Sequence, residues 1–422
     1  MRILLFTTII IFNHLFSFCQ NISGNWLGNI DVNGQKIPIV FLFYKDSVGQ
    51  LDGKWESPSQ GTISLSFTTI STNDDSLKVT MAAIGGSYKG KFIINDSIAG
   101  MWQQGNVSLP LNFKKSFINI ATNQKISYPN EREISVTSVG GNKIFGTLLS
   151  KDKDQKLAII IAGSGPTDRE GNNPLGDKAN SYKMLAHALD SQNIATFRFD
   201  KRGVGESIPN DFKENNLVFD DYIKDAEKIF DYLHDSLDFK NIYFAGHSEG
   251  SLIGMIASQK KKSQGYISIA GAGRPIDVII KQQLNNQPLP DSLKNKINFI
   301  FNELKKGKEV NDVPSSLNFL FRKSIQPYMI SWLKYSPTGE IKKLNCPVLI
   351  LQGSCDVQIK ITDAENLHNA NKKSMLDVIP LMTHTLKNAE PGCKDENKKT
   401  YTDGSLPINR KLINDIANFI KK

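Results

Sequence analysis

The stretch that decides the fold is Asn241-Ile242-Tyr243-Phe244-Ala245-Gly246-His247-Ser248-Glu249-Gly250-Ser251-Leu252. Its first part is apolar and predicts a short buried strand, and the residues from Leu252 to Lys260 predict a helix. Between them lies the pattern G-x-S-x-G, with Ser248 at its centre. Gly246 and Gly250 would let the helix pack closely against the strand. The stretch therefore predicts an exposed, nucleophilic serine on a strained turn at the end of a strand.

Strands and helices alternate on both sides of this stretch. A hairpin is predicted over 134–139 and 143–149, and apolar strands then alternate with amphipathic helices as far as Ala270. This alternation predicts an α/β fold with a mostly parallel sheet and helices on both faces. Residues 274–340 have a helical, more polar pattern and predict a cap insertion. The predicted segments around it are Leu157–Ile161, Ser181–Asp190, Ala195–Phe199, Phe219–His234, Ile242–Ala245, Leu252–Lys260, Tyr266–Ala270, Pro347–Leu351, Met375–Ile379 and Asn409–Ile420.

A serine hydroxyl becomes a good nucleophile only when a base takes its proton and a carboxylate orients that base. Four histidines are poorly placed for this role. His187 and His234 lie inside predicted helices, His368 ends one, and His247 is expected to point away from the serine. The remaining candidate is His384, in the loop after the last predicted strand. The alternative for His384 is an ordinary surface histidine.

The candidate acid is Asp356, which follows the predicted strand 347–351. The carboxyl ends of parallel strands meet at one edge of a sheet, so Asp356 is expected near Ser248 and His384. The order serine, aspartate, histidine is the order expected for a G-x-S-x-G protein. Asp363, in a predicted helix, and Asp377, inside a predicted strand, are the fallback candidates.

Two backbone N–H groups are needed to stabilise a developing oxyanion. The first candidate is the N–H of Glu249, directly after the serine and at a helix N-terminus. The second is the N–H of Ser164, with Gly165 as the fallback, in the turn Ala162-Gly163-Ser164-Gly165-Pro166. The competing interpretation is a phosphate-binding loop, but the turn lacks the glycine spacing and the Gly-Lys-Ser/Thr of such loops.

Residues 1–19 predict a signal peptide. Arg2 precedes the apolar run 3–11, and Cys19 ends a small-x-small cleavage site. We therefore expect export to the periplasm or the medium, with no stable membrane insertion after cleavage, because the apolar run is too short to span a bilayer. A lipoprotein anchored through Cys19 is the weaker alternative, since bulky Phe18 precedes it.

The remaining cysteines are Cys346, Cys355 and Cys393, an odd number that excludes a disulfide scaffold. Cys355 and Cys393 lie in the segments assigned to the acid and the base. The sequence leaves two alternatives for this pair, a disulfide bridge or two free thiols without a role.

The length of 422 residues favours two domains. Residues 20–120 show short alternating segments between Gly, Asn and Asp turns and predict an all-β meander or barrel-like domain, and residues 121–132 predict a linker. Three glycine–tryptophan motifs, which contain Trp26, Trp55 and Trp102, recur in this domain. We expect these indoles to fill its core. The alternative is a lipid or glycan site that they line.

The formal net charge is +9, but the lysines are scattered and aromatic residues do not interleave with them. This pattern indicates a generally basic surface and does not indicate a nucleic-acid partner.

The region 133–422 resembles an α/β hydrolase of the bacterial carboxylesterase kind. The resemblance lies in the Gly-Ser-Gly-Pro turn 163–166, the Asp-x-Arg-Gly-x-Gly-x-Ser motif 200–207 and the Gly-His-Ser-x-Gly motif 246–250. It implies hydrolysis of small or medium acyl esters through an acyl-enzyme, with no metal or cofactor and with a helical cap over the acyl pocket. One departure is Ala162, where a histidine is usual before the oxyanion turn. Ser207 also lies two residues after a glycine, but we do not expect it to be the nucleophile, because Pro209 stands where G-x-S-x-G has its second glycine.

Two further functions stay open from the sequence. A peptidase or an amidase would use the same triad. The chain could also be a binding protein whose β-domain recognises envelope lipid or glycan. The partner expected from the leading hypothesis is a small-molecule ester.

Overall fold

The structure of this chain is a computed structural model. It describes residues 22–32, 35–45, 49–56, 65–73, 75–81, 85–94, 96–105, 107–116, 128–173, 177–209, 211–285, 289–393 and 397–422. The predicted signal peptide and most of the predicted linker lie outside these ranges. Contacts divide the chain into two compact units, Met1–Ile126 and Ser127–Lys422.

The first unit contains a nine-stranded sheet in which every pairing is antiparallel. Trp26, Trp55 and Trp102 are all buried in its core, as expected for packing residues. A Cβ at Gly53 would lie 2.6 Å from the Leu42 carbonyl, so this glycine permits the close approach of its neighbour strand. The strands are β1 (Gly24–Val32), β2 (Gln35–Lys45), β3 (Leu51–Glu56), β4 (Leu65–Ser66), β5 (Thr69–Thr72), β6 (Ser76–Met81), β7 (Gly86–Ile94), β8 (Ser97–Gln104) and β9 (Val107–Ser116).

The second unit contains an eight-stranded sheet and a two-stranded hairpin. Its strands are β10 (Glu131–Thr137), β11 (Lys143–Leu149), β12 (Leu157–Ile161), β13 (Asn172–Asn173), β14 (Asp177–Lys178), β15 (Ala195–Phe199), β16 (Ile242–His247), β17 (Gly265–Ile269), β18 (Val348–Gly353) and β19 (Met375–Ile379). The large sheet has the order β10-β11-β15-β12-β16-β17-β18-β19, and β13 pairs with β14. β10 and β11 are antiparallel to their neighbours. The other six strands, β15, β12, β16, β17, β18 and β19 in sheet order, are parallel to one another.

Helices cover both faces of this sheet and bury one apolar cluster on each. They are α1 (Ser181–Asp190), α2 (Phe219–Asp231), α3 (Glu249–Lys260), α4 (Ile276–Asn285), α5 (Asp291–Lys305), α6 (Asn318–Phe321), α7 (Gln326–Trp332), α8 (Pro337–Ile341), α9 (Ile361–Ala370), α10 (Asn397–Thr402) and α11 (Arg410–Lys421). The predicted α/β fold, with its mostly parallel sheet, is confirmed. No helix in the described ranges is both long and apolar enough to cross a bilayer.

Two details differ from the sequence predictions. β10 begins at Glu131, inside the segment assigned to the linker, because it pairs with β11 from Glu131↔Leu149 onward. The helical insertion from α4 to α8 exists, but it packs beside the sheet. Its residues Ile300, Phe301 and Phe321 are fully buried in one cluster with α2 and α3.

Candidate active site

Ser248 occupies the sharp turn between β16 and α3. Its backbone has φ 53° and ψ −118°, a positive-φ conformation outside the αL region that non-glycine residues rarely adopt. The turn is tight because a Cβ at Gly246 would lie 2.1 Å from the Gly250 carbonyl oxygen, and one at Gly250 would lie 2.3 Å from that of Ile161. Glycine is therefore required at both positions. This geometry presents the serine hydroxyl at the carboxyl end of a central strand.

His384 and Asp356 meet beside this turn. Asp356 follows β18, His384 follows β19, and the His384 Nδ1 atom lies 2.8 Å from Asp356 Oδ2. Both residues are buried. Asp356 Oδ1 accepts the backbone N–H groups of Gln358 and Ile359, at 2.8 and 3.0 Å. Burial alone would raise the pKa of Asp356, but the charge and hydrogen bond of His384 and the two N–H donors lower it overall. The carboxylate is therefore ionised and fixes His384 with Nδ1 protonated.

Ser248 and His384 line one cavity of about 270 Å³. The Ser248 hydroxyl and the His384 Nε2 atom make no hydrogen bond to each other or to other described residues. Catalytic hydrogen bonds often form only when substrate is bound. The described lining comes from three parts of the chain: the segment 163–182, the serine turn and the segment 358–401. None of the described lining residues belongs to the insertion α4–α8, so the expected cap does not form this wall.

The two candidate oxyanion donors lie next to this cavity. Ser164 lines it, and Glu249 directly follows Ser248. Neither backbone N–H has an acceptor within the described part of the chain, so both are available to an oxyanion. The N–H of Ser248 itself is occupied, because it donates to the Ile269 carbonyl at 2.9 Å.

His247 has a structural role that the sequence did not reveal. Its Nε2–H donates to the His384 carbonyl at 2.8 Å. Its Nδ1 therefore accepts from the Tyr182 hydroxyl, also at 2.8 Å, and that hydroxyl accepts the Gly163 N–H at 3.0 Å. Burial, together with the nearby charge of His384, lowers the pKa of His247 to about 3. Neutral His247 thus joins, through Tyr182, the candidate oxyanion loop to the loop of His384.

A disulfide joins Cys355 to Cys393, with the Cα atoms 5.2 Å apart. Cys355 directly precedes Asp356, and Cys393 lies in the chain between His384 and α10. α10 contributes Tyr401 to the cavity wall, where its hydroxyl accepts a hydrogen bond from Gln358 at 2.6 Å. The bridge therefore ties the acid loop to the segment that forms one side of the cavity. The sequence alone did not decide between this disulfide and free thiols.

Comparisons with known proteins agree with this architecture. A family profile described as "Serine aminopeptidase, S33" matches residues 174–322, which include Ser248. Esterase EstD of Thermotoga maritima is 25% identical over 248 residues, which are 56% of this chain and 54% of that protein. The chain thus spans about half the length of this curated relative. The chain has the α/β-hydrolase fold.

Solved structures of α/β hydrolases are similar at lower identity. Est1E from Butyrivibrio proteoclasticus is 16% identical with a TM-score of 0.44, covering 68% of this chain and 97% of that one. Esterase Pf2001 of Pyrococcus furiosus is 15% identical with a TM-score of 0.44, covering 69% and 90%. Proline iminopeptidase of Mycobacterium smegmatis is 12% identical with a TM-score of 0.44, covering 69% and 98%.

The motif 200–207 has a structural role. Asp200 accepts hydrogen bonds from the buried Arg169, at 2.7 Å from Nη2, and from the Glu206 N–H at 3.0 Å. Arg169 belongs to the loop that follows the oxyanion turn, so this ion pair holds that loop. Ser207 is buried, and its hydroxyl accepts the Phe145 N–H at 2.9 Å. These contacts agree with the prediction that Ser207 is not a nucleophile.

Proposed function

We propose that this protein is a serine carboxylesterase that cleaves esters of small to medium acyl chains through an acyl-enzyme. The observation that supports the proposal best is the 2.8 Å contact between His384 and an ionised, buried Asp356, at the same cavity as the strained Ser248 turn. This is the arrangement that activates a serine hydroxyl. The similarity to Esterase EstD supports the same reaction class.

In the proposed reaction, Ser248 Oγ attacks the ester carbonyl carbon while His384 Nε2 takes the hydroxyl proton. Asp356 holds the Nδ1–H of His384 and stabilises the imidazolium that forms. The carbonyl oxygen becomes an oxyanion that the N–H groups of Ser164 and Glu249 stabilise. The oxyanion collapses, the alcohol leaves with the proton from His384, and an acyl-serine remains. Water, deprotonated by His384, then releases the acid and regenerates Ser248.

The volume of the cavity supports a small substrate, because about 270 Å³ lies slightly below the range typical of sites for drug-sized ligands. The described lining combines the apolar Pro166, Ala179 and Leu386 with polar groups such as Gln358 and Tyr401. Such a wall suits a short acyl or alcohol group with a polar substituent.

A panel of paired substrates tests the proposal. We expect nitrophenyl esters of two- to eight-carbon acids to be hydrolysed with a larger kcat/KM than the matching nitroanilides, with the maximum at the short end. A fluorophosphonate should attach to Ser248, as located by mass spectrometry. The second candidate is an aminopeptidase, which the S33 family match favours. Faster turnover of aminoacyl nitroanilides than of the corresponding esters would establish the aminopeptidase activity and contradict the esterase proposal.

We further propose that the protein is exported and loses residues 1–19. The Cys355–Cys393 bridge supports this proposal, because disulfides persist mainly in oxidising compartments. In its own host, we expect the protein in the periplasm or the medium, with a mature N-terminus at Gln20 and the bridge intact in a non-reduced peptide map. Full-length chain recovered from the cytoplasm with free Cys355 would contradict export.

A further inference from the structure

A buried ion pair lies directly behind the oxyanion site. Lys201 follows β15, Glu249 begins α3, and their side chains are only 1% and 2% exposed. Lys201 Nζ donates to Glu249 Oε1 at 2.7 Å and to the Gly163 carbonyl oxygen at 2.5 Å. Glu249 Oε2 accepts the Tyr328 hydroxyl at 2.7 Å. One ammonium group therefore contacts both segments that carry the candidate oxyanion donors.

The contact with Gly163 fixes the direction of the Ser164 N–H. The Gly163 carbonyl and the Ser164 N–H belong to the same peptide plane, and in a trans peptide these two groups point in opposite directions. Because Lys201 holds the carbonyl on its own side of the loop, the N–H points away from Lys201. A flipped peptide would break the contact with the ammonium and would turn a carbonyl oxygen toward the oxyanion.

The loop itself needs such a restraint. Gly163 is packed against the serine turn, where a Cβ would lie 3.2 Å from Ser248 Cβ. Because Gly163 has no Cβ, its ψ is weakly restricted, and the Gly163–Ser164 peptide has little intrinsic preference for one orientation. The Tyr182 hydroxyl fixes the peptide before Gly163, because it accepts the Gly163 N–H. Only Lys201 bonds to the Gly163 carbonyl among the described residues.

The positive charge of Lys201 also acts on the oxyanion site, because it neutralises Glu249. The Glu249 carboxylate belongs to the residue whose backbone N–H would bind the oxyanion. Left unpaired in this buried place, it would repel the negative charge that develops in the transition state. The ammonium cancels this charge and also polarises the Gly163–Ser164 peptide, which makes its N–H a stronger donor.

We propose that Lys201 is a positioning residue for the oxyanion site: it directs the Ser164 N–H into the cavity and neutralises Glu249 beside the second donor. This inference rests on the proposed serine hydrolase function. It predicts that loss of Lys201 weakens binding of the transition state and leaves ground-state binding of substrate intact.

The test compares Lys201→Met, the double variant Lys201→Met/Glu249→Gln and the control Arg202→Met. The double variant removes both buried charges, so that folding is not limited by an unpaired carboxylate. Arg202 also forms an ion pair, with the buried Asp225 at 2.6 Å, but it makes no hydrogen bond to the oxyanion loop. Two quantities are measured: the second-order rate constant for fluorophosphonate labelling of Ser248, and kcat and KM for an ester.

We expect both Lys201 variants to lose about 10²-fold in labelling rate and in kcat, with KM little changed, as for loss of one oxyanion donor. The double variant should melt closer to the wild type than Lys201→Met, and Arg202→Met should lose stability while keeping its labelling rate. A double variant that is labelled as fast as the wild type would overturn the inference. An equal loss of labelling in Arg202→Met would also overturn it. Because labelling needs no substrate, a wild-type enzyme that is labelled but hydrolyses no ester would refute the esterase proposal alone.

Discussion

Replacing Ser248 with alanine is expected to abolish ester hydrolysis and fluorophosphonate labelling together. The hydroxyl would supply the only atom that becomes covalently attached to the acyl group, and the adjacent His247 cannot substitute for it. His247 is held between Tyr182 and the His384 carbonyl, and its pKa of about 3 keeps it neutral. Loss of the nucleophile in a serine triad lowers kcat by about 10⁶-fold. Turnover of a nitrophenyl ester and labelling under matched conditions measure both effects.

The matched control for this prediction is Ser207→Ala. Ser207 lies in a similar Gly-x-Ser context, yet its hydroxyl is buried and only accepts a backbone N–H. We expect this variant to lose some thermal stability, because the Phe145 N–H is left without a partner, and to retain both labelling and turnover. Labelling that persists in Ser248→Ala but disappears in Ser207→Ala would refute the assignment of the nucleophile.

Replacing Asp356 with asparagine is expected to lower kcat by about 10⁴-fold with KM nearly unchanged. An asparagine can keep the backbone bonds to Gln358 and Ile359 through its oxygen, and its NH₂ group then faces His384 Nδ1. An NH₂ group can only donate to that nitrogen. The imidazole must therefore move its proton to Nε2, the atom that should accept the proton of the serine. The value of kcat and the labelling rate should fall together. The melting temperature should also fall, because Gln352 Nε2 donates to Asp356 Oδ2 at 3.2 Å and would face the new NH₂ group.

Asp377 provides the matched control for Asp356. It was a fallback for the acid, but it lies in β19 with its side chain 37% exposed and pairs with Lys411. Asp377→Asn should leave kcat unchanged. The other fallback, Asp363, is fully buried and forms an ion pair with Arg274 at 2.6 Å, which gives it a structural role. A larger loss of kcat in Asp377→Asn than in Asp356→Asn would reassign the acid.

Much of the site could be predicted because its parts are local or follow from topology. The turn of Ser248 is encoded by neighbouring glycines, and the carboxyl ends of parallel strands had to bring Asp356 and His384 to the same edge. Lys201 could not be assigned in this way, because its partners Gly163 and Glu249 lie 38 residues before it and 48 residues after it. Neither their pairing nor the position of Tyr182 leaves a periodic pattern in the sequence.

The residues of the insertion were predicted, but the surface that it covers could not be read from the sequence. The helical period of its apolar residues predicts helices with one apolar face. It does not indicate which part of the domain that face packs against. In the structure that face joins the cluster of α2 and α3, where the Phe219 and Trp332 rings stack with centroids 5.3 Å apart. Part of the cavity wall comes from β13, β14 and α10, three short elements that the sequence pattern did not predict.

The anchoring of this insertion determines whether it can move as a lid. A lid that opens at a lipid surface must expose its apolar side reversibly. In this insertion, residues such as Ile300 and Phe321 are buried in the hydrophobic core of the domain. Moving the insertion would expose that interior to water at a cost comparable to unfolding part of the domain. The enzyme should therefore show no interfacial activation. Its rate should follow the concentration of dissolved monomeric ester, with no jump when the substrate begins to form micelles.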